Sequence, residues 1–387
     1  MKLLHVAASY LPATRYGGTI VSVHGLCKAL AVRGHDVHVF TTSIDGPDDS
    51  PVVHNAPTSM DGVSVHYFQS RMLRRLFYAP DLSTALSSTI ATFDLVHTHA
   101  IYLAPLWSAA RAARAARVPY VVSPRGMLEK SLIERKSALW KALLIAFVER
   151  RHLEGASAIH VTSRRERDEA AAFGFDLPPL FEVPNGVDAP VAQGEASPAI
   201  TALGSQKFVL FLGRINWKKG LNRIIAAMAL VPELKLVIAG PDENGYRRVV
   251  EDLAAAHDVA SRVVFSGPAN AADKAALFRM ACALVLPSYS ENFGNVVIEA
   301  WAEGCPVIVT PEVGLADAVS ACGGGWVVKG TPQELAGAID RVAGSQALRQ
   351  QAGERGRAEG RRRYTWSAVA EQMEAVYEYA TTHGPRR

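Results

Sequence analysis

Short apolar runs recur along this chain, each followed by a longer stretch with helical spacing. In the first half the runs are Leu3–Ala8, Val37–Thr41, Val63–Phe68, Leu95–His99, Tyr120–Ser123 and Ala158–Thr162. In the second half they are Phe208–Gly213, Lys235–Ala239, Val263–Phe265, Ala283–Leu286, Val307–Val309 and Gly325–Val328. Helical patterns such as Val21–Arg33 and Leu221–Ala229 lie between them. Strands that are apolar on both faces fit a parallel sheet covered by helices on both sides. The alternation therefore predicts an α/β protein with two doubly wound, Rossmann-like domains, since 387 residues exceed one ordinary core. Asp188-Ala-Pro190, Gly194 and Ser197-Pro198 break any regular element between the halves. The expected division is a first domain at 1–188, a linker at 189–206 and a second domain at 207–364. Residues 365–387 are read as a C-terminal helix crossing back to the first domain, plus a tail. Sheets of this kind bind ligands beyond the carboxyl ends of their strands. A site in a cleft between the two domains is the expectation.

Composition narrows the class. The chain is 49% hydrophobic and 20% charged, and no apolar run reaches the roughly 18 residues of a membrane span. Cys27, Cys282, Cys305 and Cys322 have neither metal-finger nor CxxC spacing, which fits a reducing cytoplasm. Met1 to Ala8 reads as a buried first strand rather than a signal peptide. Net charge is only +4, but residues 71–151 carry thirteen Lys/Arg against five Asp/Glu. Within it, 130–151 mixes Trp140, Leu143, Leu144 and Phe147 with Arg135, Lys136, Lys141, Arg150 and Arg151. Two readings are open for that segment: a basic amphipathic helix on an anionic membrane surface, or a helix packed on its own sheet. No nucleic-acid motif is present, and nucleic acid is not expected as a partner.

The segment Ser288-Tyr289-Ser290-Glu291-Asn292-Phe293-Gly294-Asn295-Val296-Val297-Ile298-Glu299-Ala300 carries the most chemistry. A helix is predicted to begin near Asn295, leaving its first N–H groups facing the loop as an anion site. Glu291 precedes that site and Glu299 lies about one turn beyond it. Carboxylates there would repel phosphate, so they are placed to accept hydrogen bonds from hydroxyls on either side of one. Hydroxyls, phosphates and more hydroxyls in series describe a nucleotide sugar. Arg214 and Lys219, in the loop after Phe208–Gly213, stand where a diphosphate would need its charge neutralised.

Taken together, Gly213-Arg214…Lys219-Gly220, Pro287-Ser288…Glu291-Asn-Phe-Gly294…Glu299-Ala300 and Gly304-Cys-Pro306 closely resemble the retaining GT-B glycosyltransferases of family 4. First-half signatures follow in the right order: Gly17-Gly18, His97-Thr-His99, Ser123-Pro-Arg125-Gly126-Met127, Ser163…Glu166 and Asn185-Gly186-Val187-Asp188. The resemblance implies that Glu291 contacts donor-sugar hydroxyls and Glu299 the ribose. It implies that Arg214 and Lys219 stabilise the leaving diphosphate, with no cofactor or metal required. Backbone N–H groups of Phe293, Gly294 and Asn295 face the phosphates, joined by Gly17 and Gly18, and the base lies near Gly267. His99 matches the active-site histidine, while Arg125 and Met127 are acceptor contacts. His97 is read as a core histidine turned to the opposite face of its strand, and His160 likewise as core. The usual Gly-Asp-Gly-Pro turn is replaced by Gly240-Pro241-Asp242-Glu243.

The reading is a retaining hexosyltransferase moving sugar from a nucleotide diphosphate to a saccharide or lipid-linked acceptor in bacterial surface polysaccharide or glycolipid synthesis. It would be cytoplasmic or peripheral at the inner membrane face. Two rivals stay open: a GT-B phosphorylase or epimerase, and a non-catalytic sugar-nucleotide binder.

Overall fold

A computed structural model describes residues 1–13, 15–54, 56–128, 148–189, 194–204 and 206–386. The chain forms two units. One comprises Met1–Gly186 with Trp366–Arg387, and the other is Val187–Thr365.

The first unit is built on an eight-stranded sheet in the order Leu180–Glu182, Ala158–Val161, Tyr120–Ser123, Leu95–His99, Lys2–Ser9, Asp36–Thr42, Val63–Phe68, Thr58–Met60. All neighbours are parallel except the last pair, an antiparallel hairpin. Asp61 and Gly62 at φ 50° and 81° make its turn, the double left-handed geometry that tight hairpins require. Leu95–His99 and Tyr120–Ser123 are buried along their whole length, so the polar His97, Thr98, His99 and Ser123 lie inside the protein. Two short strands of this sheet were not evident from sequence. Leu180–Glu182 follows Pro178-Pro179, and Thr58–Met60 has only three residues, so neither shows a periodicity.

The C-terminal helix Trp366–His383 belongs to this unit. Its buried residues Val369, Ala370, Met373, Val376, Tyr377 and Ala380 form one helical stripe. Helix Gly18–Val32 and the strands around Leu95–His99 receive that stripe. Trp366 is fitted between two glycines, for a Cβ at Gly25 or Gly186 would lie 2.2 or 2.5 Å from its indole.

The second unit holds a six-stranded, wholly parallel sheet ordered Val263–Gly267, Lys235–Ala239, Phe208–Leu212, Leu284–Leu286, Val307–Val309, Gly325–Val327. The stretch expected as a linker folds onto this unit where it is described. Ile200 and Leu203 are buried in its core, and the Ser197 N–H donates to Asp273 at 2.7 Å. Strand order reverses beside Lys2–Ser9 in one sheet and beside Phe208–Leu212 in the other. Crevices therefore open at the carboxyl ends of Lys2–Ser9 and Leu95–His99, and of Phe208–Leu212 and Leu284–Leu286.

The basic segment 130–151 lies outside the described residues as far as 147. Among the described residues no helix is long and apolar enough to cross a membrane.

Candidate active site

In the second unit, the loops after Phe208–Leu212 and Leu284–Leu286 meet at a glycine. Gly220 has φ 66°, and a Cβ there would stand 2.0 Å from the Pro287 carbonyl oxygen. Only glycine tolerates both conditions. The Tyr289 N–H donates to the Lys218 carbonyl at 2.8 Å, completing the seam. As a result the Lys219 ammonium donates to the Glu291 carboxylate. Both side chains are about four-fifths buried, at 19% exposure each.

Glu291 is held by its backbone on both sides. Its N–H donates to Glu312 O at 3.1 Å, and its carbonyl accepts from Gly314 N at 2.9 Å. Gly294 follows at φ 96° as the N-cap of helix Asn295–Ala302. That helix has no side-chain cap and no acidic residue in its first turn, so its positive end faces the loop undiminished. Phe293 is buried beside Tyr364 and anchors the turn. Glu299, on the same helix, accepts from Lys274 Nζ at 2.9 Å. Arg214 reaches Glu243 at 3.3 Å, and Asn216 donates to the same carboxylate at 2.6 Å. Gly267 ends its strand at φ 77°, its carbonyl accepting from Gly240 N at 2.8 Å.

Each expected carboxylate thus sits against a cation, and each expected cation against a carboxylate. The Arg214–Glu243 and Lys274–Glu299 pairs, a third to a half exposed, are worth little; Lys219–Glu291 is the more buried pair. An anion could exchange with Glu243 on the exposed Arg214, and a hydroxyl could exchange with Lys274 on Glu299, at small cost. Glu243 and Lys274 were not singled out from sequence. The Gly240-Pro241-Asp242-Glu243 departure from the familiar turn was the available signal for the first. Lys274 sits in an ordinary amphipathic helix and gave none.

In the first unit, Gly17 at φ 82° is the N-cap of helix Gly18–Val32, again with no side-chain cap. His99 ends its strand buried, with its Nε2 2.9 Å from His5 Nδ1 and its Nδ1 3.2 Å from Arg125 Nη2. Arg125, expected at the acceptor, turns its guanidinium inward: Nη1 donates to Asn185 Oδ1 at 2.7 Å and Nη2 to His99. Met127 packs against the apolar core. The expected orientation of His97 is corrected. Residues two apart on a strand share a face, and the His97 and His99 rings are 4.1 Å apart. His97 and His160 are both buried, as expected of core histidines, and they are joined through Ser123.

His5, His97 and His99 bring nitrogens within 4.8 Å of one another, a spacing that a metal ion can use. Their lone pairs are otherwise committed. Arg125, which only donates, occupies His99 Nδ1, and both nitrogens of His97 are bonded to Ser123 and Tyr377. The cluster fits a network of neutral imidazoles better than a cation site beside a guanidinium.

Residues 17–186 match the family described as glycosyl transferase 4-like domain, and residues 194–359 match glycosyl transferases group 1. The D-inositol 3-phosphate glycosyltransferase of an Arthrobacter species is 30% identical over 334 residues, 78% of this chain and 76% of that protein. The chain belongs to the group 1 glycosyltransferases. An uncharacterized glycosyltransferase of Methanocaldococcus jannaschii is 27% identical over 98% of each chain. Among solved structures, sucrose-phosphate synthase from Thermosynechococcus elongatus superposes with TM-score 0.76 at 24% identity, covering 97% of this chain and 98% of that one. Anabaena HepE in complex with UDP and glucose gives TM-score 0.76 at 21% identity, covering 98% and 99%. The architecture of this glycosyltransferase is GT-B.

Burial, then Arg125, holds His5 and His160 at about 3. His97 and His99 are also pushed well below the ordinary histidine range, chiefly by burial. Each of the four takes a proton near pH 6.5 when unfolded but not when folded. Their contribution to stability is therefore complete above pH 6.5 and is lost as pH falls towards about 3. Each can cost up to about 1.4 kcal/mol per pH unit in that window. The first unit is expected to unfold on mild acidification before the second, whose histidine is His257 alone. Circular dichroism from pH 7 to 4, with His257 followed by NMR, checks this; loss of both units together would contradict it.

Proposed function

We propose that this enzyme transfers a hexose from a nucleotide diphosphate to a hydroxyl of a saccharide acceptor, with retention of configuration and without a bound metal. The observation that carries the reading is the Lys219–Glu291 contact in front of the helix that starts at Asn295. It sets a cation, a hydroxyl acceptor and an anion-binding helix end beside one another.

Leaving-group departure is the step these groups can accelerate. Lys219, Arg214 and the helix N-terminus stabilise negative charge growing on the diphosphate, commonly the largest catalytic term. The departing oxygen takes the proton of the incoming hydroxyl on the same face of the sugar. Glu291 orients the donor sugar, its charge already balanced by Lys219, and Glu299 orients the ribose. His99 is assigned to the sugar and acceptor side.

The acceptor is proposed to be a saccharide, carried on a lipid in surface polysaccharide or glycolipid synthesis at the inner membrane face. The basic segment 130–151 would contact that membrane. One relative's name specifies D-inositol 3-phosphate, and two structural neighbours were solved with UDP and with UDP-glucose. These set the order in which donors and acceptors are tried.

Lys219→Ala and Glu291→Ala are each expected to lower kcat by ~10²–10³, about 3–4 kcal/mol of barrier, with the fold retained. Near-normal transfer by either folded variant would refute the site. A thermal-shift screen of UDP-, GDP- and ADP-sugars should give one base class a clear rise in Tm by mass action; equal shifts from all three would contradict a selective donor site. Vesicle flotation should show binding that grows with anionic lipid and falls with salt. No flotation at low salt on anionic vesicles would remove the membrane from the proposal.

A further inference from the structure

The buried polar groups of the first unit form a chain of hydrogen bonds that begins on the C-terminal helix. Tyr377 OH lies 2.8 Å from His97 Nδ1, and His97 Nε2 lies 2.6 Å from Ser123 Oγ. Ser123 Oγ lies 2.6 Å from His160 Nδ1, and His160 Nε2 lies 2.8 Å from the Val183 carbonyl oxygen.

Donor and acceptor chemistry assigns every proton from the far end. A carbonyl only accepts, so His160 carries its proton on Nε2 and presents a lone pair on Nδ1. Ser123 must donate to that lone pair. Its single proton being used, Ser123 accepts from His97 Nε2–H. His97 Nδ1 then needs a donor, and Tyr377 O–H supplies it. The same logic applies alongside. Arg125 donates to His99 Nδ1, so His99 carries its proton on Nε2 and donates to His5 Nδ1. Both chains are tied to one short segment, through the Val183 carbonyl and the Asn185 side chain. Their rings meet at His97 and His99, tilted by 37° with centroids 4.1 Å apart.

We infer that Tyr377 is a positioning residue for His99: its hydroxyl fixes the direction of the Tyr377–His97–Ser123–His160 relay and thereby the wall on which His99 rests. Its catalytic consequence rests on the proposed role of His99; the tautomers do not. Loss of the Tyr377 proton leaves His97 Nδ1 without a donor. His97 can then move its proton to Nδ1, Ser123 must turn to donate to His97, and His160 loses its partner.

Imidazole-nitrogen NMR of the full-length protein tests the relay without any assay. His97 and His160 should both be Nε2–H tautomers. In Tyr377→Phe the His97 nitrogen signals should shift or broaden while His99 stays Nε2–H. An Nδ1–H His97 in the wild type, or an unchanged His97 in the variant, would overturn the relay. Kinetics test the positioning role. Tyr377→Phe and Ser123→Ala are each expected to lower kcat about tenfold, with donor KM within twofold. The double variant should be no slower than about the slower single one, since both break one chain. Independent, multiplying effects, or a folded Tyr377→Phe with kcat within twofold of wild type, would reject positioning. A wild-type protein that transfers no sugar, yet shows the assigned tautomers, would reject the proposed reaction and leave the relay standing.

Discussion

The approach of Gly220 to the Pro287 carbonyl governs the second unit's site. Two loops leave adjacent parallel strands at the point where the sheet reverses its order. A Cβ at residue 220 would force them apart, and Lys219 would leave Glu291 with them. Charge placement here follows from backbone shape. The two residues are 72 positions apart, yet their contact is fixed by one missing methyl group and one main-chain hydrogen bond from Tyr289.

The first unit solves a different problem. Its central strands are buried on both faces, so His97 and His99 find partners for both ring nitrogens and His5 for its Nδ1, without water. Imidazole suits this, because in its neutral form each ring gives one proton and takes another. The one guanidinium present, Arg125, remains half-buried and uses Asn185 and His99 as partners.

How much of this was legible in the sequence depended on range. Continuous apolar runs identified the long parallel strands, since burial on both faces writes itself into every position. The three-residue strands Leu180–Glu182 and Thr58–Met60 are too short to carry a pattern. Gly294 marked the helix start because a left-handed N-cap selects glycine. Glu291, Glu299, Arg214 and Lys219 were found as residues, but their partners were not. The Lys274–Glu299 pair joins two helices through tertiary packing alone. Likewise Tyr377 is 280 positions from His97, and nothing local distinguishes it from other apolar-stripe tyrosines. His97 was misplaced by counting the strand period wrongly, not for want of signal.

The seat of Trp366 between Gly25 and Gly186 has a consequence for the order of synthesis. The ribosome completes the sheet of the first unit long before it makes the helix that covers it. All of Val187–Thr365 comes in between, roughly ten to forty seconds of elongation. Through that interval the nascent first unit has an open indole slot and a His97 still waiting for its phenol. A chain broken off anywhere in the second unit carries His97 and His99 but not Tyr377, the partner of His97 Nδ1.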